Sequence, residues 1–283
     1  MKCVLVGDFN PNSTNISLET CLSNFCDIHT IDYRNPKECD RNLIPLYTSN
    51  YCNRNKTDFV VFCKCREFTP MSMDLYGNTV KVMWYMDPVN GNFTPNFINI
   101  MKKCDLVFCN IYDSYLECLK YNKNSFHLQE GYDPLIDKPY EVEKKYDVSF
   151  IGSLRGHRGE YIEHIGAEVI QNAYRGQHGL EVGQSRINLN FTDGGASDRV
   201  YKVLAAQGFL LTEAWPNMEK DFVDGKDLVV FNGKKDLAEK VAYYLAHEDE
   251  RLKISEHGCK TVQKFSRDFW AKTICDKVKE YKK

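Results

Sequence analysis

Along the first 130 residues, short apolar runs alternate with longer mixed segments. Lys2–Val6, Asp27–Ile31, Asp58–Phe62, Val80–Tyr85, Asp105–Cys109 and Ser125–Leu128 are each four to six residues long and rich in Val, Ile, Phe or Tyr. Continuous apolar runs, in place of strict alternation, mark strands covered on both faces of a parallel sheet. Several are separated by enough chain for a helix, so the spacing predicts βαβ units. The same plan returns in the second half, with strands at Tyr146–Ile151, Arg186–Phe191, Phe209–Thr212 and Leu228–Phe231. Helices are predicted over 158–166, 197–207, 235–247, 249–264 and 267–281. Leu237, Val241, Tyr244 and Leu245 show the i, i+4, i+7, i+8 stripe most plainly.

Between the halves, residues 131–145 are polar and carry Pro134 and Pro139, which makes them the best domain boundary. The expected fold is therefore α/β: two Rossmann-like domains with parallel sheets facing a central cleft, the first over 1–145 and the second from 146. At 283 residues the chain suits two domains. With 43% apolar and 27% charged residues it has ample material for cores, which excludes a disordered chain. No run approaches the roughly 20 apolar residues that cross a bilayer. The N-terminus reaches Gly7-Asp8 after four apolar residues, too soon for a signal peptide, so the cytoplasm, of the cell or of a viral host, is the expected location.

Twelve cysteines, ten of them between Cys3 and Cys118, lie mostly in apolar runs. In a reducing compartment they read as packing thiols. The nearest approach to metal-ligand spacing is Cys63-x-Cys65 with no histidine close by, so no metal is expected. The formal charge of −2 comes from 37 basic and 39 acidic residues, without the basic excess that holds proteins to nucleic acid by charge alone.

In open parallel sheets ligands bind beyond the carboxyl ends of the strands, which singles out three loops. After Tyr146–Ile151 come Gly152, Ser153, Arg155, Gly156, His157, Arg158 and Gly159. Small residues, two arginines and a histidine at a strand–helix junction suit an anion, the bland alternative being a flexible turn with solvated arginines. After Arg186–Phe191 come Asp193, Gly194, Gly195, Ser197, Asp198 and Arg199. Ser197 is placed to cap a helix whose N-terminus, with Arg199, would meet a diphosphate; the bland alternative is a capped helix alone. Asp87, after Val80–Tyr85, is either a catalytic carboxylate or the opener of an Asp-Pro turn. Gly7-Asp8 after the first strand has the same ambiguity.

The block from Ser197 through Arg199, Tyr201, Lys202, Gln207 and Gly208 to Glu213 resembles the signature of CgeB-like (spore-maturation type) glycosyltransferases, close to glycosyltransferase family 4. Phe222–Leu228, Tyr244–His247, Gly258, Tyr146–Ser153 and Gly131–Pro134 extend the likeness, which runs over 125–275. The resemblance implies a GT-B fold. Residues 1–145 would serve the acceptor, 146–265 would bind a nucleotide sugar, and 266–283 would cross back as a helix to the N-terminal domain. It implies no metal and no cofactor beyond the donor substrate, for which UDP is favoured over GDP and retention over inversion. Carried over by position, Gly152, Ser153 and Arg155 would lie at the donor phosphates, and Ser197 and Arg199 at the diphosphate. Lys202 stands where the family has a ribose-binding Glu, and Gln207 where it has the first of two glycines. Lysine cannot accept hydrogen bonds from ribose, so another group such as Glu213 would have to.

The leading expectation is thus transfer of a hexosyl or pentosyl unit from a nucleotide-diphosphate sugar to a hydroxyl acceptor. Arg155 and Arg199 would stabilise the leaving group and Asp87 would orient or deprotonate the acceptor. His157, Arg158, Gly194, Gly195, Asp198, Lys202 and Glu213 would complete the donor site, and Gly7 and Asp8 the acceptor side. Acceptors left open are a glycan, a lipid-linked sugar and a modified nucleic-acid base. Alternatives are a two-lobed nucleotide- or sugar-binding protein without chemistry and a non-hydrolysing sugar-nucleotide epimerase.

Overall fold

The computed structural model describes residues 1–64, 68–88, 93–192 and 194–283; Cys65 and Asp193 lie outside them. The chain forms two compact units, Met1–Glu130 with Arg267–Lys283, and Gly131–Ser266.

The first unit is built in the order β1 (Lys2–Gly7), α1 (Asn15–Ser23), β2 (Asp27–Asp32), α2 (Ile44–Asn55), β3 (Phe59–Cys63), β4 (Val80–Tyr85), α3 (Pro95–Lys103), β5 (Leu106–Cys109), α4 (Tyr112–Leu119) and β6 (Ser125–His127). Its six strands are all parallel, in the order β2-β1-β3-β4-β5-β6. The run Phe59-Val60-Val61-Phe62-Cys63 is buried throughout because alternate residues serve different cores. Val60 and Phe62 pack with Ile44, Cys52 and Met101, whereas Phe59, Val61 and Cys63 pack with Leu18, Leu22 and Trp270. In α3, Pro95 sets the first turn and the Thr94 side chain accepts from the Phe97 N–H.

The second unit runs β7 (Tyr146–Ile151), α5 (Arg158–Ile165), β8 (Glu168–Ile170), α6 (Gly176–Gln184), β9 (Ser185–Asn190), α7 (Asp198–Ala205), β10 (Leu210–Thr212), β11 (Val229–Val230), α8 (Gly233–Ala246) and α9 (Glu248–Val262). Its sheet is parallel in the order β11-β10-β9-β7-β8. Val200, Leu204 and Val262 cover one face; Ile162, Leu237, Val241 and Tyr244 cover the other. The last helix, α10 (Arg267–Tyr281), belongs to the first unit, where Trp270 meets Trp84 edge to face at 5.5 Å. Such aromatic pairs add about 0.5–1.5 kcal/mol beyond simple burial.

The expected parallel α/β architecture is present, with two additions that the sequence pattern did not announce. β8 is only three residues long and begins on a charge. α6 carries Gly176, Gly179 and Gly183, each costing about 1 kcal/mol of helix propensity relative to Ala. Packing requires two of them: a Cβ on Gly179 would fall 2.7 Å from Tyr140 and one on Gly183 2.8 Å from Val142. The eleven described cysteines are free, and eight are buried.

Candidate functional site

In the second unit the carboxyl ends of β7, β9 and β10 lie side by side, and Gly152, Thr192 and Glu213 stand just beyond them. Arg199, in the first turn of α7, reaches back across β9. Its Nε donates to the Ile151 carbonyl at 2.8 Å and a terminal nitrogen donates to Asn190 Oδ1 at 2.9 Å. The guanidinium sits 4.7 Å over the Phe150 ring. Glycine at 152 makes room for it, since a Cβ there would fall 2.5 Å from Arg199 and φ is +149°.

Asn190 organises this corner. Fully buried at the end of β9, it accepts from Arg199 and from Ser197 Oγ (3.1 Å) and donates to Thr212 Oγ1 (2.9 Å). Sequence reasoning passed over it; the available signal was an amide among Ile187, Leu189 and Phe191. Ser197 occupies the N-cap position of α7, but its hydroxyl bonds Asn190 and does not cap the helix. That corrects the capping expectation, because a fully buried amide oxygen competes for the same hydroxyl.

Glu213 accepts from the Thr192 N–H at 2.9 Å, and its other oxygen lies 2.6 Å from His157 Nε2. Arg158 is buried and donates to the Ser153 carbonyl at 3.3 Å, holding the loop. The Arg155 side chain is exposed and makes no hydrogen bond or ion pair among the described residues; its carbonyl accepts from the Arg158 N–H at 3.4 Å. Gly194 is exposed with φ +94°, Gly195 is half-buried, and Lys202 pairs with Asp198 one turn earlier on α7. The structure thus joins Ser197 and Arg199 through Asn190, sets Gly152 against Arg199, joins His157 to Glu213, and leaves the Arg155 side chain apart.

His178 lies on α6. It is 7% exposed, and its buried Nδ1 has no hydrogen-bond partner. Burial pushes its imidazole down to about 3, the nearby charge of Lys202 and Arg199 adding to the effect and Asp198 opposing it. It therefore presents a neutral ring beside the first turns of α7.

The first unit carries its own cavity of about 330 Å³ at the carboxyl ends of β1, β3 and β4. Asp8, Arg34, Lys64, Asp87 and Glu130 supply its charges, and Asn10, Asn12 and Asn15 much of the rest. Asp87 Oδ1 accepts from Lys64 Nζ at 2.8 Å, and Asp8 lies 3.1 Å from Arg34 Nε. Gly7 ends β1, where a Cβ would fall 2.4 Å from Asn15 Nδ2. Asp8 and Asp87, 79 positions apart in sequence, thus share one cavity. Among the described residues no group of three His, Cys, Asp or Glu could hold a metal ion, and no helix is long and apolar enough to cross a membrane.

A family model described as glycosyl transferase-like matches residues 135–276, half of the chain, so the chain belongs to the glycosyl transferase-like family. No curated protein matches it by sequence. Among solved structures, HepE of Anabaena in complex with UDP and glucose superposes with a TM-score of 0.72 at 10% identity, covering 99% of this chain and 100% of that chain. A glycosyltransferase from Rickettsia africae gives 0.72 at 12% identity, covering 100% and 98%. Sucrose-phosphate synthase from Thermosynechococcus elongatus gives 0.71 at 9% identity, covering 99% and 98%. The chain accordingly has the GT-B fold, with two parallel-sheet α/β domains.

Proposed function

We propose that the chain transfers a sugar from a UDP-sugar to a hydroxyl acceptor, in the cytoplasm and without a metal, as a CgeB-like member of its family. The observation that carries this reading is the seating of Arg199 across Gly152 at the N-terminus of α7. A cation and a helix N-terminus fixed before the reaction suit a diphosphate leaving group, because no reorganisation is needed as charge develops. Similarity to a protein crystallised with UDP and with UDP-glucose supports the donor class.

In this reading Gly152, Ser153 and the Gly194-Gly195 turn let the protein backbone approach the donor closely. Arg199 neutralises the diphosphate from below and Arg155 from solvent. Lys202, bound to Asp198, contacts phosphate, and the His157–Glu213 pair serves the ribose. His178, held neutral, adds no further charge. In the first unit Asp87, its carboxylate fixed by Lys64, orients the acceptor hydroxyl with Asp8 beside it. The two arginines supply the positive charge that a divalent ion would otherwise bring, and the resemblance favours retention at the anomeric carbon.

Incubation with UDP-glucose, UDP-galactose and UDP-N-acetylglucosamine in EDTA tests the reading. Release of UDP that rises with an added acceptor is expected; neither UDP release nor binding of any nucleotide sugar would overturn it. Binding without release would identify a non-catalytic binding protein, and conversion of the free donor without acceptor an epimerase.

A further inference from the structure

The charge arrangement in the first unit's cavity restricts what can enter it. Three carboxylates, Asp8, Asp87 and Glu130, face two cations, Arg34 and Lys64, a formal balance of −1 among the described lining residues. Both cations are engaged: Lys64 Nζ lies 2.8 Å from Asp87 and Arg34 Nε 3.1 Å from Asp8. Glu130 is 8% exposed and lies within reach of the Asn110 amide at 3.4 Å.

The start of α1 lines the same cavity, and a helix N-terminus ordinarily welcomes an anion. Here its first donors are already used. The Asn15 N–H bonds Ser13 Oγ, the Ile16 N–H the Ser13 carbonyl and the Ser17 N–H the Thr14 carbonyl, at 3.0–3.3 Å. Asn10 Nδ2 and Asn15 Nδ2 donate to the Asp8 carboxylate and carbonyl, so what the cavity offers a ligand is chiefly carboxylate and amide oxygens that accept from hydroxyls, with the Asn12 amide beside them. At about 330 Å³ it lies at the small end of the roughly 300–1,000 Å³ typical of ligand sites, the size of a single sugar ring.

We propose that this cavity selects a neutral, polyhydroxylated acceptor, a sugar residue bearing no phosphate or carboxylate, because its cations are tied to carboxylates and its helix donors are spent. The proposal rests on the assignment of the first unit as the acceptor side. A phosphorylated sugar would meet cations whose charge Asp8 and Asp87 already offset, in a lining that is net negative among the described residues.

The test compares methyl α-glucoside and methyl α-galactoside with glucose 6-phosphate and galactose 6-phosphate. Binding is read by the side-chain amide NMR signals of Asn10, Asn12 and Asn15, and transfer is read in parallel with UDP-glucose as donor. The neutral sugars are expected to perturb these amides at concentrations at least tenfold below the phosphates. In Asp8→Asn, which releases Arg34, the preference is expected to shrink at least threefold. Equal or tighter binding of the phosphates, an unchanged preference in Asp8→Asn, or no response to either class up to 50-fold excess of sugar would overturn the proposal. Binding of UDP-glucose to the second unit, followed by Ser197 and Gly194 backbone signals, separates that failure from failure of the glycosyltransferase reading.

Discussion

The two units share a parallel-sheet plan and place their polar residues at the same ends of the strands, but they hold cations in different ways. In the second unit two hydrogen bonds of Arg199 run to neutral oxygens, the Ile151 carbonyl and the Asn190 amide, and its plane rests on Phe150, although Lys202 one turn on closes on Asp198. In the first unit Lys64 and Arg34 each close on a carboxylate. Partly exposed ion pairs of this kind contribute only about 0–1 kcal/mol, so their main consequence is to cancel charge. The same fold thus supplies one edge suited to an anionic leaving group and another suited to an uncharged partner.

The largest effect is expected on breaking the arginine seat. Arg199→Ala removes a fixed donor and strips Asn190 and the Ile151 carbonyl of a partner. By the usual weight of a preorganised donor it should lower kcat by about 10²–10³-fold, measured as UDP release at saturating donor. Arg155→Ala, which removes an exposed side chain with no hydrogen bond or ion pair among the described residues, should raise the donor KM several-fold and leave Tm unchanged. If Arg155→Ala lost as much kcat as Arg199→Ala, the distinction between a seated cation and a solvent-side cation would collapse.

Asp87→Asn probes the other unit. A lost orienting or proton-accepting carboxylate typically costs about 10²-fold, here expected in kcat with the donor KM unchanged. A change confined to donor KM would move Asp87 out of the acceptor role and blur the contrast between the units.

How legible these sites were differs between the two units. Apolar runs such as Phe59–Cys63 and Leu106–Cys109 announced themselves because burial on both faces leaves no polar position in a strand. The glycine loops and Arg199 were visible for the same topological reason, lying after strands and before helices. Asn190 and His178 were not: a single amide at a strand end and a histidine in a glycine-rich helix acquire meaning only from neighbours distant in sequence. Arg158 shows the converse, a charge in the glycine loop that folding turns inward to the Ser153 carbonyl. The pairing of Asp8 with Arg34 and of Asp87 with Lys64 depends on strand order, which sequence spacing does not encode.

A carboxylate that does bond a histidine in the second unit is Asp227, and its role is structural. It is 2% exposed, and its oxygens take hydrogen bonds from His257 Nδ1 (2.6 Å), Thr261 Oγ1 (2.7 Å) and the Val223 N–H (2.7 Å). Burial alone would raise its carboxyl; the Thr261, Val223 and His257 contacts outweigh that and hold it below the ordinary value. A depressed folded-state value contributes stability above the unfolded value of about 3.9, lost as pH falls through the folded one. Asp227→Asn should cost about 1.5–3 kcal/mol at pH 7, the range for bonds to a charged group. It should also flatten the loss of Tm below about pH 4, followed by thermal unfolding. An unchanged acid limb would remove Asp227 from the account of acid stability.

The smallest effect separates two departures from the family pattern that lie five positions apart. Lys202 changes chemistry, carrying a positive charge to a place where the resemblance puts a carboxylate. Gln207 changes only conformation. It follows α7 with φ +57°, its N–H on the Leu204 carbonyl and the Gly208 N–H on the Val203 carbonyl, the left-handed ending that glycine adopts without steric cost. An L side chain there costs about 1 kcal/mol, so Gln207→Gly should raise stability by about 0.5–1 kcal/mol and Tm by about 2–4 °C. Gly208→Ala should act in the opposite direction, since its Cβ would fall 2.5 Å from Val182. Transfer activity should be unchanged in Gln207→Gly, because the residue is exposed at the far end of α7 from Arg199. A fall in activity there would mean that the helix ending, and not only its beginning, sets the position of the anion-binding turn.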